Sequence, residues 1–259
     1  DPLLYDNIDK EGLRLEGTVA VYAATGYFAH LFVNPDLKTV PGGMSSTNIT
    51  DAPVMKLNEV MMNYIEAAAE LADMGQYTLT QGDFDKTINA LRNRPSTSMP
   101  AVTLAGSNLA VNGVTINDPD RDKGQMKSGD YEVSPILWEV RRERRTELPY
   151  QGIRFNDLRR WGKLHYADMK VNPKLNLGAW LDKDAYVAWY NEQNGTSLTV
   201  EDLKGIHLDR EGNAGYIVPA IDASLLRTCE DKHYLYPIPS QEIALYQSNG
   251  YTLSQNPGW

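Results

Sequence analysis

Apolar residues recur at helical spacing in several stretches of the chain. From Val54 to Ala72 they fall at Leu57, Met61, Tyr64, Ile65, Ala68 and Leu71. That pattern predicts a long helix, with Asp51 as its cap and Pro53 in its first turn. Phe84, Ile88 and Leu91 recur at i, i+4 and i+7 and predict a shorter amphipathic helix that Pro95 stops. Joined across Gly75 to Gly82, the two make an antiparallel helical hairpin of the tetratricopeptide type, with no second copy visible in the periodicity. Strand spacing follows. Asn112-Gly113 separates Leu109-Ala110-Val111 from Val114-Thr115-Ile116, and that dipeptide favours the positive φ angles of a type I′ turn.

Ser134 and Pro135 open a third helix to about Leu148, with Ile136, Leu137 and Val140 on its apolar side. A turn at Pro149 to Gly152 leads to a fourth helix, Phe155 to Trp161, ended by Gly162. From His165 to Asp231 the pattern is loop-rich around one helix at Lys183 to Glu192, and the final stretch reads as extended and proline-punctuated. Before Asp51 the chain is irregular. Val19 to Val33 holds much of the apolar content there, and Pro41 to Asp51 is a polar loop. Gly17 to Val33 falls short of the ~20 apolar residues a membrane span needs, and Thr25, Gly26 and His30 interrupt it. The expected fold class is mainly α, with tetratricopeptide-type helix pairs, long loops and at most a few short β-hairpins.

Composition narrows the function classes. At 259 residues, with 42% hydrophobic and 23% charged positions, the chain is long enough to bury a core and too apolar for disorder to dominate. A formal net charge of -9 argues against general affinity for phosphate backbones. The one cysteine, Cys229, cannot form an internal disulfide, and no Cys/His spacing suggests zinc. No charged-then-apolar leader follows Asp1-Pro2.

Trp138 to Glu147 is the most unusual segment: Arg141, Arg142, Arg144 and Arg145 alternate with Glu139, Glu143 and Glu147 at i, i+4 spacing. Along a helix such side chains neutralise one another, so the segment predicts an ion-pair lattice, packed against Arg154, Asp157 and Arg159, rather than a nucleic-acid surface.

These same residues carry a resemblance. Ile136-Leu-Trp-Glu-Val-Arg-Arg-Glu-Arg-Arg-Thr-Glu-Leu148, followed by Gln151-Gly-Ile-Arg-Phe-Asn-Asp-Leu-Arg-Arg-Trp161, resembles the "ERRxEL" and "EGxRxxDLRRW" signature of the SusD/RagB family, with Gln151 where that family has Glu. Leu57 to Ala67 is similar to its "LAEVYLNYAEA" helix, and Ile88 to Arg94 to its "INxIRxRAG" helix. Tyr234 to Ile243 with Gln255 to Trp259 resembles its "YLxPIPxxE…QNPGY" terminus, and Tyr27 to Pro35 its "GYYxxKFxNP" approach. The resemblance implies a SusD-like helical fold. The whole of residues 1–259 would then be a C-terminal domain, with the N-terminal helical half and lipoprotein signal lying upstream. It also implies a cell-surface oligosaccharide-binding (nutrient-binding) lipoprotein of the outer membrane, working with a SusC-like TonB-dependent transporter, without cofactors, catalysis or nucleic-acid binding. Membrane attachment would come only through the upstream lipid anchor.

Sugars are held by aromatic faces that stack on pyranose C–H groups, with amides and carboxylates taking the hydroxyls. The candidate ligand-binding residues are Trp180, Tyr186, Trp189 and Tyr190, with Asn191, Gln193 and Asn194 beside them, and Tyr5 and Tyr22 in a second region. Trp180 and Trp189 are nine positions apart and cannot share a helix face. Asp118, Asp120 and Asp122 alternate at calcium-loop spacing, but the glycine comes one place late and the twelfth position is Gly129, so a solvated acidic turn is favoured. No GxSxG, HExxH or P-loop occurs, and His30, His165, His207 and His233 lack metal-ligand spacing. Two alternatives stay open: a glycoside hydrolase using a carboxylate pair, and a helical scaffold that binds only protein partners.

Overall fold

A computed structural model describes residues 25–27, 53–95, 97–121 and 132–259. Among them the protein is mainly helical with a few short antiparallel strands, as its sequence pattern predicts. It divides into two compact units. The first holds the described residues from Pro53 to Arg154; the second holds Thr25 to Tyr27 and Phe155 to Trp259.

The first unit is built on α1 (Leu57–Asp73), which packs against α4 (Pro135–Glu147). Ser134 caps α4, its side chain accepting from Leu137 N at 3.2 Å, and Pro135 occupies the first turn. α1 differs from its expectation at both start and face. It begins at Leu57, its N-terminal neighbour Lys56 supplies no side-chain cap, Pro53 lies outside it, and Asp51 is outside the described residues. Its buried residues are Met62, Ile65, Glu66, Ala68 and Ala69, whereas Leu57, Tyr64 and Leu71 are exposed. The reason is that the apolar residues of α1 spread over more than one face, with Leu57, Tyr64 and Leu71 set beside Met62, Ile65 and Ala69. Periodicity alone does not choose its inward face, and burial of Glu66 by arginines of α4 helps to do so.

Phe84, Ile88 and Leu91 are all buried, as expected, but on two short helices rather than one: α2 (Gln81–Asp85) and α3 (Ile88–Arg92). Between them Thr87 leaves helical geometry (φ -125, ψ -96), and its hydroxyl donates back to Asp83 O at 2.5 Å. That local bond offers the backbone an alternative to the helix.

β1 (Val102–Ala105), β2 (Asn108–Val111) and β3 (Val114–Thr115) form an antiparallel meander, with Val102 opposite Val111 and Val111 opposite Val114. The expected Asn112-Gly113 turn joins β2 to β3, with φ of 51 and 77. β1 was not expected. Its edge is covered by two side-chain amides: Asn89 brackets Val102 (2.7 and 2.9 Å), and Gln81 bridges Val102 O and Leu104 N (3.0 and 2.7 Å). Met62, Ile65, Phe84, Ile88, Val102, Leu109, Leu137 and Val140 meet in one core.

α4 carries the arginine–glutamate lattice, and its partners come from α1 and from around α3. Arg141 donates to Glu70 at 2.7 Å; Arg144 donates to Asn63 at 2.6 Å and lies 3.4 Å from Glu66. Arg92 forks onto Glu143 (2.5 and 3.3 Å), Arg94 forks onto Glu147 (2.7 and 2.8 Å), and Arg142 forks onto Glu139 within the helix. The expectation named partners within the run, as Arg142 and Glu139 show, and further along the chain; packing against α1 and the end of α3 adds the rest.

In the second unit, α5 (Arg154–Arg160) contributes Leu158 to a small core with Trp161 and Leu164, flanked by Tyr166, Cys229 and Tyr234. Arg160 pairs with Asp157 at 2.9 Å, while Arg159 donates to Tyr234 O at 2.6 Å and lies 3.9 Å from the Tyr236 ring centroid. Tyr234 to Trp259 is not simply extended: α7 (Ser240–Ser248) interrupts it. The two ends of this segment are tied together. Gln255 brackets Ile238 (2.7 and 2.9 Å), Asn256 donates to Tyr236 O (2.6 Å), and Trp259 Nε1 donates to Lys232 O (2.9 Å). The same unit contains β4 (Trp180–Asp182), α6 (Lys183–Asn194) and β5 (Ala214–Tyr216), with β4 and β5 antiparallel. α6 matches its expected span with one further half-turn, and the strand pair was missed.

Candidate functional site

β4 follows strand alternation. Leu181 is buried, whereas Trp180 and Asp182 face solvent. Asp182 then caps α6, its carboxylate accepting from Ala185 N at 3.0 Å, and Gly195 ends that helix in the left-handed region. Lys183, buried at the start of α6, donates to Leu203 O and Ile206 O (3.1 and 2.8 Å) and so ties the next loop beneath it.

Register puts Trp180 directly opposite Tyr216 of β5. The two rings meet edge to face, 5.1 Å between centroids and 83° between planes, and both are exposed, at 48% and 39%. Cross-strand aromatic pairs of this kind contribute about 0.5–1.5 kcal/mol beyond burial.

The segment at His207 to Asp209 runs beside β5: Val218 N donates to His207 O and Asp209 N to Tyr216 O, at 2.8 and 2.9 Å. The Asp209 carboxylate accepts Tyr216 N (2.8 Å) and a fork from Arg210 (3.0 and 2.8 Å). The Arg210 guanidinium in turn lies 5.0 Å from the Trp180 ring centroid and 5.9 Å from that of Tyr216. Its hydrogen bonds hold the Asp209 carboxyl below the usual carboxylate range, and Asp209 raises the Arg210 guanidinium above its own. Gly215 makes the approach possible, because a Cβ there would lie 2.7 Å from Asp209 Oδ1 and 3.1 Å from Arg210 Cγ.

The other candidate aromatics lie on α6. Tyr186 is buried, and its ring lies 6.1 Å from that of half-buried Trp189 and 5.8 Å from that of half-buried Tyr190. The amides beside them are engaged in shaping the loop after α6: Asn191 brackets Leu198 (2.7 and 2.8 Å) and Asn194 donates to Tyr190 O at 2.9 Å. So the structure groups Tyr186, Trp189 and Tyr190, and places Trp180 with Tyr216 and Arg210. Tyr5 and Tyr22 lie outside the described residues. Sequence reasoning missed Tyr216, Asp209 and Arg210. The one available signal was the glycine-rich stretch from Gly205 to Gly215, which marks close backbone approach without naming the partner.

Asp118, one of the three calcium-loop candidates, spends its carboxylate on structure. It accepts from Asp120 N at 2.9 Å and from Trp138 Nε1 at 2.8 Å. Asp122 is outside the described residues. Among the described residues no group of three or more His, Cys, Asp or Glu side chains is placed to hold a metal ion, and no helix is long and apolar enough to cross a membrane.

No curated protein sequence matches the chain. Among solved structures, a SusD-like carbohydrate-binding protein from Bacteroides fragilis aligns at 24% identity with a TM-score of 0.42, covering 86% of this chain. The alignment takes in 35% of that protein, so the chain spans well under half of its length. The SusD family model matches residues 18–259, which include the ion-pair helix, the strand pair bearing Trp180 and the tied C-terminal segment, and the chain belongs to the SusD family.

Proposed function

We propose that the protein captures oligosaccharides at the surface of the outer membrane and passes them to a SusC-like TonB-dependent transporter. The observation that supports this most directly is the solvent-facing Trp180–Tyr216 pair, held open on a rigid strand pair in a member of the SusD family. Large aromatic rings are ordinarily covered, and a half-exposed ring offers a face suited to stacking on pyranose C–H groups. Binding is non-covalent and involves no cofactor. Tyr186 is buried and so does not meet the sugar, whereas half-buried Trp189 and Tyr190 pack beside it.

The test is oligosaccharide binding by calorimetry or on an array, for the protein and its Trp180→Ala and Trp189→Ala forms. Trp180→Ala is expected to weaken binding about tenfold, a loss in keeping with one stacked ring. Trp189→Ala is expected to act through stability alone. Unchanged affinity in Trp180→Ala would remove this ring as the site, and no affinity for any oligosaccharide would remove the reading.

A further inference from the structure

We infer that the Trp180–Tyr216 platform selects neutral over anionic pyranoses, because Asp209 neutralises the cation that overhangs it, Arg210. This rests on the carbohydrate-binding reading above and adds to it the chemical class of sugar. An arginine over an aromatic face would ordinarily favour a uronate, whose carboxylate matches the guanidinium fork. Here the fork is taken. Two of its nitrogens donate to Asp209 at 3.0 and 2.8 Å. Asp209 is itself fixed, since its Oδ1 also accepts the backbone N–H of Tyr216, the residue paired with Trp180.

The result is an edge to the platform with no net charge. Arg210 keeps an outward N–H for a sugar hydroxyl, and Asp209 keeps acceptor capacity, as the donors and acceptors around a ring of hydroxyls require. A uronate carboxylate entering the same edge would have to compete with Asp209 for the Arg210 fork. Gly215 leaves room for this pair, since a Cβ there would lie 2.7 Å from Asp209 Oδ1 and shift its carboxylate.

Two sets of hexasaccharide probes, neutral (malto-, cello- and galacto-configured) and anionic (galacturonate), are titrated into the protein and into Trp180→Ala, Tyr216→Phe, Arg210→Gln and Asp209→Asn. Far-ultraviolet circular dichroism and a thermal melt confirm that each variant is folded. At least one neutral probe is expected to bind, with galacturonate at least tenfold weaker. Trp180→Ala should weaken the neutral binding about tenfold, Tyr216→Phe should keep it, and Arg210→Gln should weaken it about fivefold. Asp209→Asn keeps an oxygen for Tyr216 N but frees the guanidinium charge, and it should move the ratio toward galacturonate by about tenfold. Galacturonate binding as tight as neutral binding, or an unchanged ratio in Asp209→Asn, overturns the selectivity while leaving carbohydrate binding intact. Neutral binding indifferent to Trp180→Ala overturns the location. No binding of any probe overturns the carbohydrate-binding reading as well.

Discussion

Asp83 shows how much one buried side chain organises. Burial by itself would raise its carboxyl. The Thr80 backbone and hydroxyl (2.9 and 2.8 Å) and the Tyr64 hydroxyl (2.8 Å) outweigh that and hold it well below the usual range. Tyr77, bonded to Tyr64 and Asp83, is pushed up to about 12. A carboxylate with a depressed folded pKa contributes stability that is present above its ordinary pKa of 3.8 and is lost as pH falls through the folded value. Asp83→Asn should therefore cost about 1–3 kcal/mol at pH 7 and remove part of the stability loss below about pH 4. Urea midpoints at pH 7 and pH 3 measure both. The α4 arginines allow a second residue-scale prediction. Glu66 and Arg144 are each almost fully buried, so Glu66→Leu alone should cost about 3–5 kcal/mol by leaving a buried cation uncompensated. Adding Arg144→Met should recover much of that, and a double-mutant cycle in urea reads the coupling directly.

Among the elements, the β4–β5 pair and its flanking turn are the part most exposed to a single change. Gly215→Ala places a methyl group within 2.7 Å of Asp209 Oδ1, and the backbone bonds at Tyr216 and Val218 prevent the turn from simply sliding away. The expected outcome is a folded protein whose melting temperature drops by a few degrees, as about 1 kcal/mol would give, and whose oligosaccharide affinity falls together with Trp180 fluorescence changes. A variant with wild-type affinity would show that the turn does not hold the platform. The long helices were legible beforehand because capping and period agree at α4 and α6, with Ser134, Pro135, Asp182 and Gly195 each in their preferred places. The α2–α3 break was not, since Thr87 fits a helical pattern until its hydroxyl turns back to Asp83 O. Nor was α7: its residues show no apolar stripe and none is buried, so no pattern distinguished it from the extended chain on either side.

At the scale of the whole molecule, the protein is a SusD family member in two compact units, one carrying the charged helix pair and the other the aromatic platform. A binding role predicts that neutral hexasaccharides incubated with the protein release no new reducing ends over a day, while the same samples show saturable binding by calorimetry. Measurable release would favour a carboxylate-pair hydrolase instead.

The amino-acid sequence determined the family, the helix-rich class and the positions of the strongest helices. These follow from local quantities: charge order, capping residues and apolar period, each readable within a dozen positions. It also determined that the Glu139 to Glu147 run makes ion pairs, because arginines and glutamates three and four positions apart on one helix are neighbours. Only the tertiary structure decided where the lattice is anchored, which face of α1 is buried, and that Trp180 meets Tyr216 rather than the aromatics next to it on α6. The physical reason is strand register and helix packing. Residues distant along the chain are brought together by backbone hydrogen bonds and core shape, and nothing in the spacing around Trp180 encodes the arrival of Asp209, Arg210 and Tyr216 beside it.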